Sequence, residues 1–253
     1  MADTLYKVDA ESNLKIIELD VEMFGAPRRI HPVLLWDRES AILIDAGFPG
    51  NAEIIRQAVE AAGVPFSQIR RIFITHHDWD HIGALPELIE KNPAIEVFSH
   101  PAEKPYIEGT LPSIKLTPQK IAERIASLPS EFRPRATAVF ANLPSAPVHR
   151  LFNDGDVLPF HGGIRVIHTP GHTPGHVCFF LPQLRLLIAG DQLRVEDGAL
   201  VGPSPEFTPD LPAALGSLKK LLPFNIEQVL CYHGGLYGPG AAIRIAELAN
   251  KSA

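Results

Sequence analysis

Apolar positions along the first 45 residues come in short runs bounded by charge or turn residues: Leu14–Leu19, Val33–Trp36 and Ala41–Ile44. Runs of this length predict strands, and Asp45-Ala46-Gly47 closes the third. The period then changes. Ile54, Ile55, Ala58, Val59 and Ala62 recur at helical spacing, and Gly63 and Pro65 stop the helix they predict. A strand over Arg71–Ile74, a helix around Leu85–Lys91 and a strand over Ile95–Ser99 follow. Strand–helix–strand alternation predicts crossover connections and a sheet with helices on its outer face.

From Leu111 to Arg150 the pattern breaks. Ile121, Ala122, Ile125 and Ala126 predict one helix, and the remainder is rich in Pro, Ser and Ala. This stretch reads as an insertion at about 111–150 in one domain spanning 1–253, either a mobile lid or fixed packing. Strands return over Ile164–His168, His176–Leu181, Leu184–Ala189 and Gln228–Cys231, with helices over Leu211–Leu222 and Ala241–Ala249.

Composition narrows the class. The chain has 253 residues, 45% of them hydrophobic, which suits one large globular domain. The formal net charge is −6, and no Lys/Arg-rich block stands out, so nucleic acid and anionic membranes are poor partners. A small-molecule substrate fits better. Cys178 and Cys231 both sit in apolar runs and read as buried thiols. Neither a signal peptide nor an apolar run of roughly eighteen residues is present, which predicts a cytoplasmic protein.

Chemistry collects where strands end. The run Thr75-His76-His77-Asp78-Trp79-Asp80-His81 follows a buried-type strand. Residues two apart in extended chain share a face, so His76 and Asp78 can aim at one point, while Asp80 and His81 form a second pair as the chain turns. Imidazoles and carboxylates at this density suit Zn²⁺ or another first-row divalent ion. His168-Thr169-Pro170-Gly171-His172-Thr173-Pro174-Gly175-His176, then Gly190-Asp191, then His233-Gly234, each close or join further strands. Sites in open α/β-type sheets gather at one end of the strands, and four such residues in register favour a site over coincidence. There is no Gly-x-Ser-x-Gly elbow and no glycine-rich phosphate loop between strand and helix.

These residues carry a resemblance. His-x-Asp-x-Asp-His, Thr-Pro-Gly-His-Thr-Pro-Gly, Gly-Asp and the late His-Gly resemble the metallo-β-lactamase-fold hydrolases, from about Leu35 to the last helix. The resemblance implies an α+β fold, a four-layer αββα sandwich of metallo-β-lactamase type. It implies a binuclear centre in which His76, Asp78 and His172 hold one metal, Asp80, His81 and His233 hold the other, and Asp191 bridges them. It also implies that a metal-bridging hydroxide attacks a small ester, lactone, thioester or related substrate, with Asp80 orienting it or moving its proton. Asp45 matches a position that supports the ligands from behind. Two divalent ions are expected, Zn by default with Mn or Fe possible.

Asp78 departs from the histidine most common at its position. It is similar in this to a subgroup that shares the segment Pro105-Tyr-Ile-Glu-Gly109. Asp78, Asp80 and Asp191 with one hydroxide total −4, which balances two divalent ions and favours hard metals somewhat. Arg194 stands where lactonases of this fold carry tyrosine. It is expected either to anchor an acidic substrate group or to pair with nearby Glu196 or Asp197. Tyr106 is a second substrate-binding candidate. His77 is assigned to packing or to support of the ligands, and His168 and His176 to the turn around His172. His31, His149 and His161 lack motif context, and His100 follows a strand that should end near the site. The alternatives are a metal redox enzyme on the same fold (an iron sulfur-dioxygenase or flavodiiron-like protein) and a non-catalytic metal-binding protein. A flavodiiron protein would carry Glu at position 78 and needs a flavin domain for which no room follows Ala249.

Overall fold

Strand β6 (Ala41–Ile44) is buried at all four positions, and that decides the architecture. Side chains alternate along a strand, so a strand buried on both faces must be covered twice. Ile42 and Ile44 pack into one core, and Ala41 and Leu43 into another. The same split recurs in β12 (Val177–Leu181), where Val177, Phe179 and Leu181 face one way and Cys178 and Phe180 the other.

The computed structural model describes residues 5–7 and 13–251. One sheet orders its strands as β1 (Leu5–Lys7), β2 (Asn13–Ile16), β5 (Val33–Trp36), β6, β7 (Ile69–Phe73), β8 (Glu96–Ser99) and β9 (Arg150–Leu151). The other runs β10 (Val157–Leu158), β11 (Ile164–His168), β12, β13 (Leu186–Ile188), β16 (Gln228–Cys231) and β17 (Gly235–Tyr237). Phe73, Phe152 and Phe179 meet between the sheets. Helices α1 (Ala52–Ala61) and α3 (Leu85–Lys91) cover the first sheet through Ile55, Val59, Leu85 and Leu88. Helix α8 (Ala241–Lys251) covers the second through Ala241, Ile245 and Ala249. The αββα sandwich implied by the motifs is the fold observed. No helix among the described residues is long and apolar enough to cross a membrane.

Three local expectations need correction. The run Leu14–Leu19 is not one strand. β2 ends at Ile16, and Leu19 opens a hairpin of β3 (Leu19–Met23) and β4 (Ala26–Ile30). Ile17 N donates to Pro32 O between them, and apolar residues on both sides of this point hide the break in the sequence pattern. The segment 111–150 holds two helices, α5 (Pro118–Ser127) and α6 (Arg133–Ala141), where one was expected. Thr117 caps α5, and Pro118 sits at its first position, as the helix rules favour. In α6 only Ala136 and Phe140 are buried, too few to write a period into the sequence. They join Phe24 in a small core that Trp79 also packs against, which docks the segment beside the ligand-rich run. Finally, Leu211–Leu222 divides into α7 (Leu211–Ser217) and a 3₁₀ turn over Leu218–Leu221.

Candidate metal centre

Strand β7 runs parallel between β6 and β8, and its end delivers the chain into Thr75–Asp78. Asp78 keeps extended backbone and opens the short helix α2 (Trp79–Ile82), whose first turn swings Asp80 and His81 back toward the same point. His172 comes from the Pro-Gly turn between β11 and β12, Asp191 from the chain after β13, and His233 from the chain after β16. Gly190 makes the Asp191 placement possible. Its φ is +51°, and a Cβ there would lie 2.7 Å from His176 Nε2.

Two clusters result: His76, Asp78, His172 and Asp191, and beside them Asp80, His81 and His233. In the first, Asp78 Oδ2 lies 3.3 Å from His76 Nε2 and 3.1 Å from His172 Nε2. In the second, Asp80 Oδ2 lies 3.2 Å from His233 Nε2. Asp191 reaches both. Its Oδ2 is 3.4 Å from His172 Nε2 and 3.5 Å from His233 Nε2, and its Oδ1 is 3.3 Å from His81 Nε2. His76 Nε2, His81 Nε2 and Asp191 Oδ1 are buried without a hydrogen-bond partner. Buried polar atoms are almost always paired, so orphaned polar atoms converging on one place fit a site built to hold a cation. All of these donors are imidazole nitrogens and carboxylate oxygens, a set that fits divalent first-row ions.

Behind the two clusters a hydrogen-bond network fixes the orientation of their rings. Asp45, at φ +61°, accepts from Thr75 N (2.9 Å), Thr75 Oγ1 (2.8 Å) and His81 Nδ1 (2.9 Å). His76 Nδ1 meets Thr75 Oγ1 at 3.0 Å, and His172 Nδ1 meets Thr208 Oγ1 at 3.2 Å. With Nδ1 spent on these partners, each of the three rings turns Nε2 inward. His176 serves differently: its Nε2 accepts the Asp191 backbone N–H at 3.1 Å, and its Nδ1 meets Thr169 Oγ1 at 2.8 Å.

Electrostatics follow from this crowding. Burial and the neighbouring His81 push His76 well below its ordinary value. Burial works against protonation of His81, yet Asp45, Asp191 and Asp80 raise it well above the usual range. His233 is treated likewise: burial opposes its charge, but Asp191 and Asp80 lift it to about 10. For Asp78 and Asp191 burial disfavours ionisation, and it is outweighed by Lys115 and His76 in one case and by His233 and His81 in the other, so both carboxyls lie well below the usual range. Carboxylates that stay ionised while buried are ready to hold a cation.

The other residues singled out from the sequence fall as follows. Tyr106 and Arg194 both line a cavity of about 1230 Å³ that opens over the two clusters. Tyr106 stacks on His77, with ring centroids 4.4 Å apart. The Arg194 guanidinium pairs with Glu196 and donates to Gly202 O at 3.3 Å. His77 points away from the clusters to buried Glu103. His168 Nε2 meets Pro174 O at 3.0 Å, and His100 stacks on His168. His31 and His161 are buried and His149 is exposed.

Four residues of the site escaped the sequence reading. Glu103 takes the His77 backbone N–H at 2.8 Å on one oxygen and the Gly175 N–H at 2.6 Å on the other, clasping two ligand-bearing loops. Tyr232 donates to Asp80 O at 2.6 Å and packs its ring on His81. Thr208 holds His172, and Lys115 reaches Asp78. None belongs to a motif. Tyr232 alone had a signal, as the neighbour of His233.

Residues 25–233 match the profile of the Metallo-beta-lactamase superfamily. "Probable metallo-hydrolase YflN" of Bacillus subtilis (strain 168) is 33% identical over 225 residues, covering 84% of this chain and 82% of the relative. "Hydroxyacylglutathione hydrolase GloC" of Haemophilus influenzae is 28% identical over 208 residues, covering 81% and 84%. Among solved structures, TTHA1623 in a di-iron-bound form superposes with a TM-score of 0.62 at 27% identity, over 90% of this chain and 98% of that one.

Proposed function

The chain belongs to the metallo-beta-lactamase superfamily, and from that premise we propose that it is a metal-dependent hydrolase of a small ester, lactone or thioester. His76, Asp78 and His172 would hold one divalent ion, Asp80, His81 and His233 a second, and Asp191 would serve both. The position of Asp191 carries this reading, since its two oxygens face imidazoles of both clusters within 3.3–3.5 Å. Ions bound there supply Lewis acidity, which activates water near neutral pH and polarises a carbonyl oxygen. The nitrogen and oxygen donors make Zn the default, with Mn or Fe as alternatives; the di-iron form of TTHA1623 supports iron as an option.

The rest of the chemistry belongs to the chain. Asp80 lines the cavity and is half-buried, so it can take the proton of an attacking water and return it to the leaving group. Asp45 and Thr75 hold the imidazoles of His81 and His76 in one tautomer and direction. The 111–150 segment forms a wall of the cavity and acts as a lid that limits water and shapes the substrate. The name of the GloC relative keeps thioesters in the substrate set.

The test has two parts. Elemental analysis of the purified protein should give two equivalents of divalent metal per chain. A panel of esters, lactones and thioesters should show hydrolysis that disappears on chelation and returns with Zn²⁺, Mn²⁺ or Fe²⁺. Hydrolysis that survives complete metal removal would refute the reading.

A further inference from the structure

The Lys115 ammonium stands against the first cluster although its residue belongs to the 111–150 segment. Its Nζ lies 2.5 Å from Asp78 Oδ2 and 2.7 Å from His172 Nε2, and its side chain is 12% exposed. Neighbours in sequence do not place it there; docking of the segment on Phe24 and Trp79 does. An ammonium has three donors and no acceptor. Among the described residues its hydrogen-bond acceptors are those two atoms, which are also the lone pairs the first cluster offers to a metal.

Both cations cannot use the same lone pairs. A metal that takes them leaves Lys115 beside a like charge with little water, and a buried charge without a partner is costly. An anion arriving with the substrate would relieve it. The wall around it has the matching sign. Away from the cluster carboxylates Asp78, Asp80 and Asp191, Arg28, Lys120 and Arg124 line the cavity against Glu123 and Glu206, in a chain whose net charge is −6, while Arg194 is paired with Glu196. The cavity also has an apolar lining from Met23, Phe24, Trp79, Leu116 and Leu128.

We propose that Lys115 is the anion-recognition residue of this site, and that the substrate carries a carboxylate or phosphate within a few bonds of its scissile carbonyl. The inference rests on the reading of the two clusters as metal-holding. Lys115 competes with the metal when no anion is present and becomes the anion's counter-ion when one is. Metal and anion therefore strengthen each other's binding, by the same factor in both directions.

The experiment is a Zn²⁺ titration against a chromophoric chelator, for the wild type, Lys115→Met and Lys115→Arg. Each is run alone and with hexanoate, hexyl phosphate or neutral hexanol. Lys115→Met keeps the apolar stem and drops the charge, so without anion it should bind the weaker metal equivalent roughly tenfold more tightly than the wild type, within the usual range of coupling between sites. One or both anions should tighten metal binding by the wild type and by Lys115→Arg. They should leave Lys115→Met unchanged, as hexanol leaves all three. The stronger of the two identifies the substrate group as carboxylate or phosphate. Equal anion effects in wild type and Lys115→Met would mean direct ligation of the metal and overturn the proposal, as would metal affinity in the wild type that no anion alters. A wild type that binds no metal at all would defeat the metal reading, and this inference with it.

Discussion

Asp45 Oδ2 lies 2.9 Å from His81 Nδ1, across 36 residues of chain. The contact exists because β6 and β7 run parallel, so that the turn after one strand meets the loop after the other. Removing the carboxylate should free the His81 ring to change tautomer and direction. Asp45→Asn retains an acceptor for the Thr75 N–H and tolerates the positive φ, so the protein should fold. Its metal affinity should fall by roughly 10- to 100-fold, the usual effect of losing such a support. A chelator-competition curve identical to that of the wild type would show that Asp45 merely shapes the turn.

Asp191→Ala should lose at least one of two metal equivalents and all hydrolysis, with some loss of thermal stability when metal is supplied. Elemental analysis and the melting temperature with and without Zn²⁺ check this. A variant that keeps both equivalents and the parental rate would contradict the bridging role.

Metal uptake should release protons. His81 lies well above its ordinary value and His233 at about 10, so at neutral pH both carry protons that a metal must displace. Apparent affinity should therefore weaken as pH falls and strengthen toward pH 10. The metal-free protein should behave in the opposite sense. A histidine raised on folding stabilises fully below its unfolded value, about 6.5, and loses that contribution as pH rises through the folded value. Melting temperatures of chelated protein should decline between pH 7 and 10, whereas metal-loaded protein should not follow. Calorimetry of Zn²⁺ binding in buffers of different ionisation enthalpy gives the proton count directly, and zero release at pH 7 would contradict the charge states described.

Glu103→Gln should destabilise the fold. An amide offers one acceptor oxygen where Glu103 uses two, against the N–H groups of His77 and Gly175. One buried donor then faces an NH₂ group, at a cost of about 1–3 kcal/mol. Denaturant unfolding of metal-free protein would measure it, and a change within about 0.5 kcal/mol would mean that the two loops do not depend on this clasp.

The two thiols should be inert in the native state. Both cysteines are fully buried, and burial pushes the Cys178 thiol up to about 12. A thiol-specific disulfide reagent should titrate neither at pH 8 until denaturant is added, after which both should react.

The two His/Asp clusters were largely legible in the sequence, because each member closes or joins a strand and the αββα topology brings those strand ends to one edge. His76, Asp78, Asp80 and His81 lie within six residues, and a strand end followed by one helical turn is enough to group them. His172, Asp191 and His233 were found by their places at the ends of apolar runs and by the motifs Thr-Pro-Gly-His-Thr-Pro-Gly, Gly-Asp and His-Gly that resemble the metallo-β-lactamase-fold hydrolases. The central strands and the helices that cover them were legible for a similar reason. Burial on both faces leaves a continuous apolar run, as at β6, and burial on one face writes a helical period, as at α1.

What the sequence could not decide is whatever depends on distant segments meeting without a period to announce it. Helix α6 buries only Ala136 and Phe140, and the break between β2 and the β3–β4 hairpin falls within Leu14–Leu19, where apolar residues stand on both sides of it, so local pattern was silent or misleading at both. Glu103 and Lys115 are ordinary charged residues in sequence. Only the docking of their segments, 26 residues from His77 in one case and 37 from Asp78 in the other, puts a buried carboxylate between two loops and an ammonium against the ligands. A charge acquires its role from what desolvates and faces it, and that is a property of the tertiary structure.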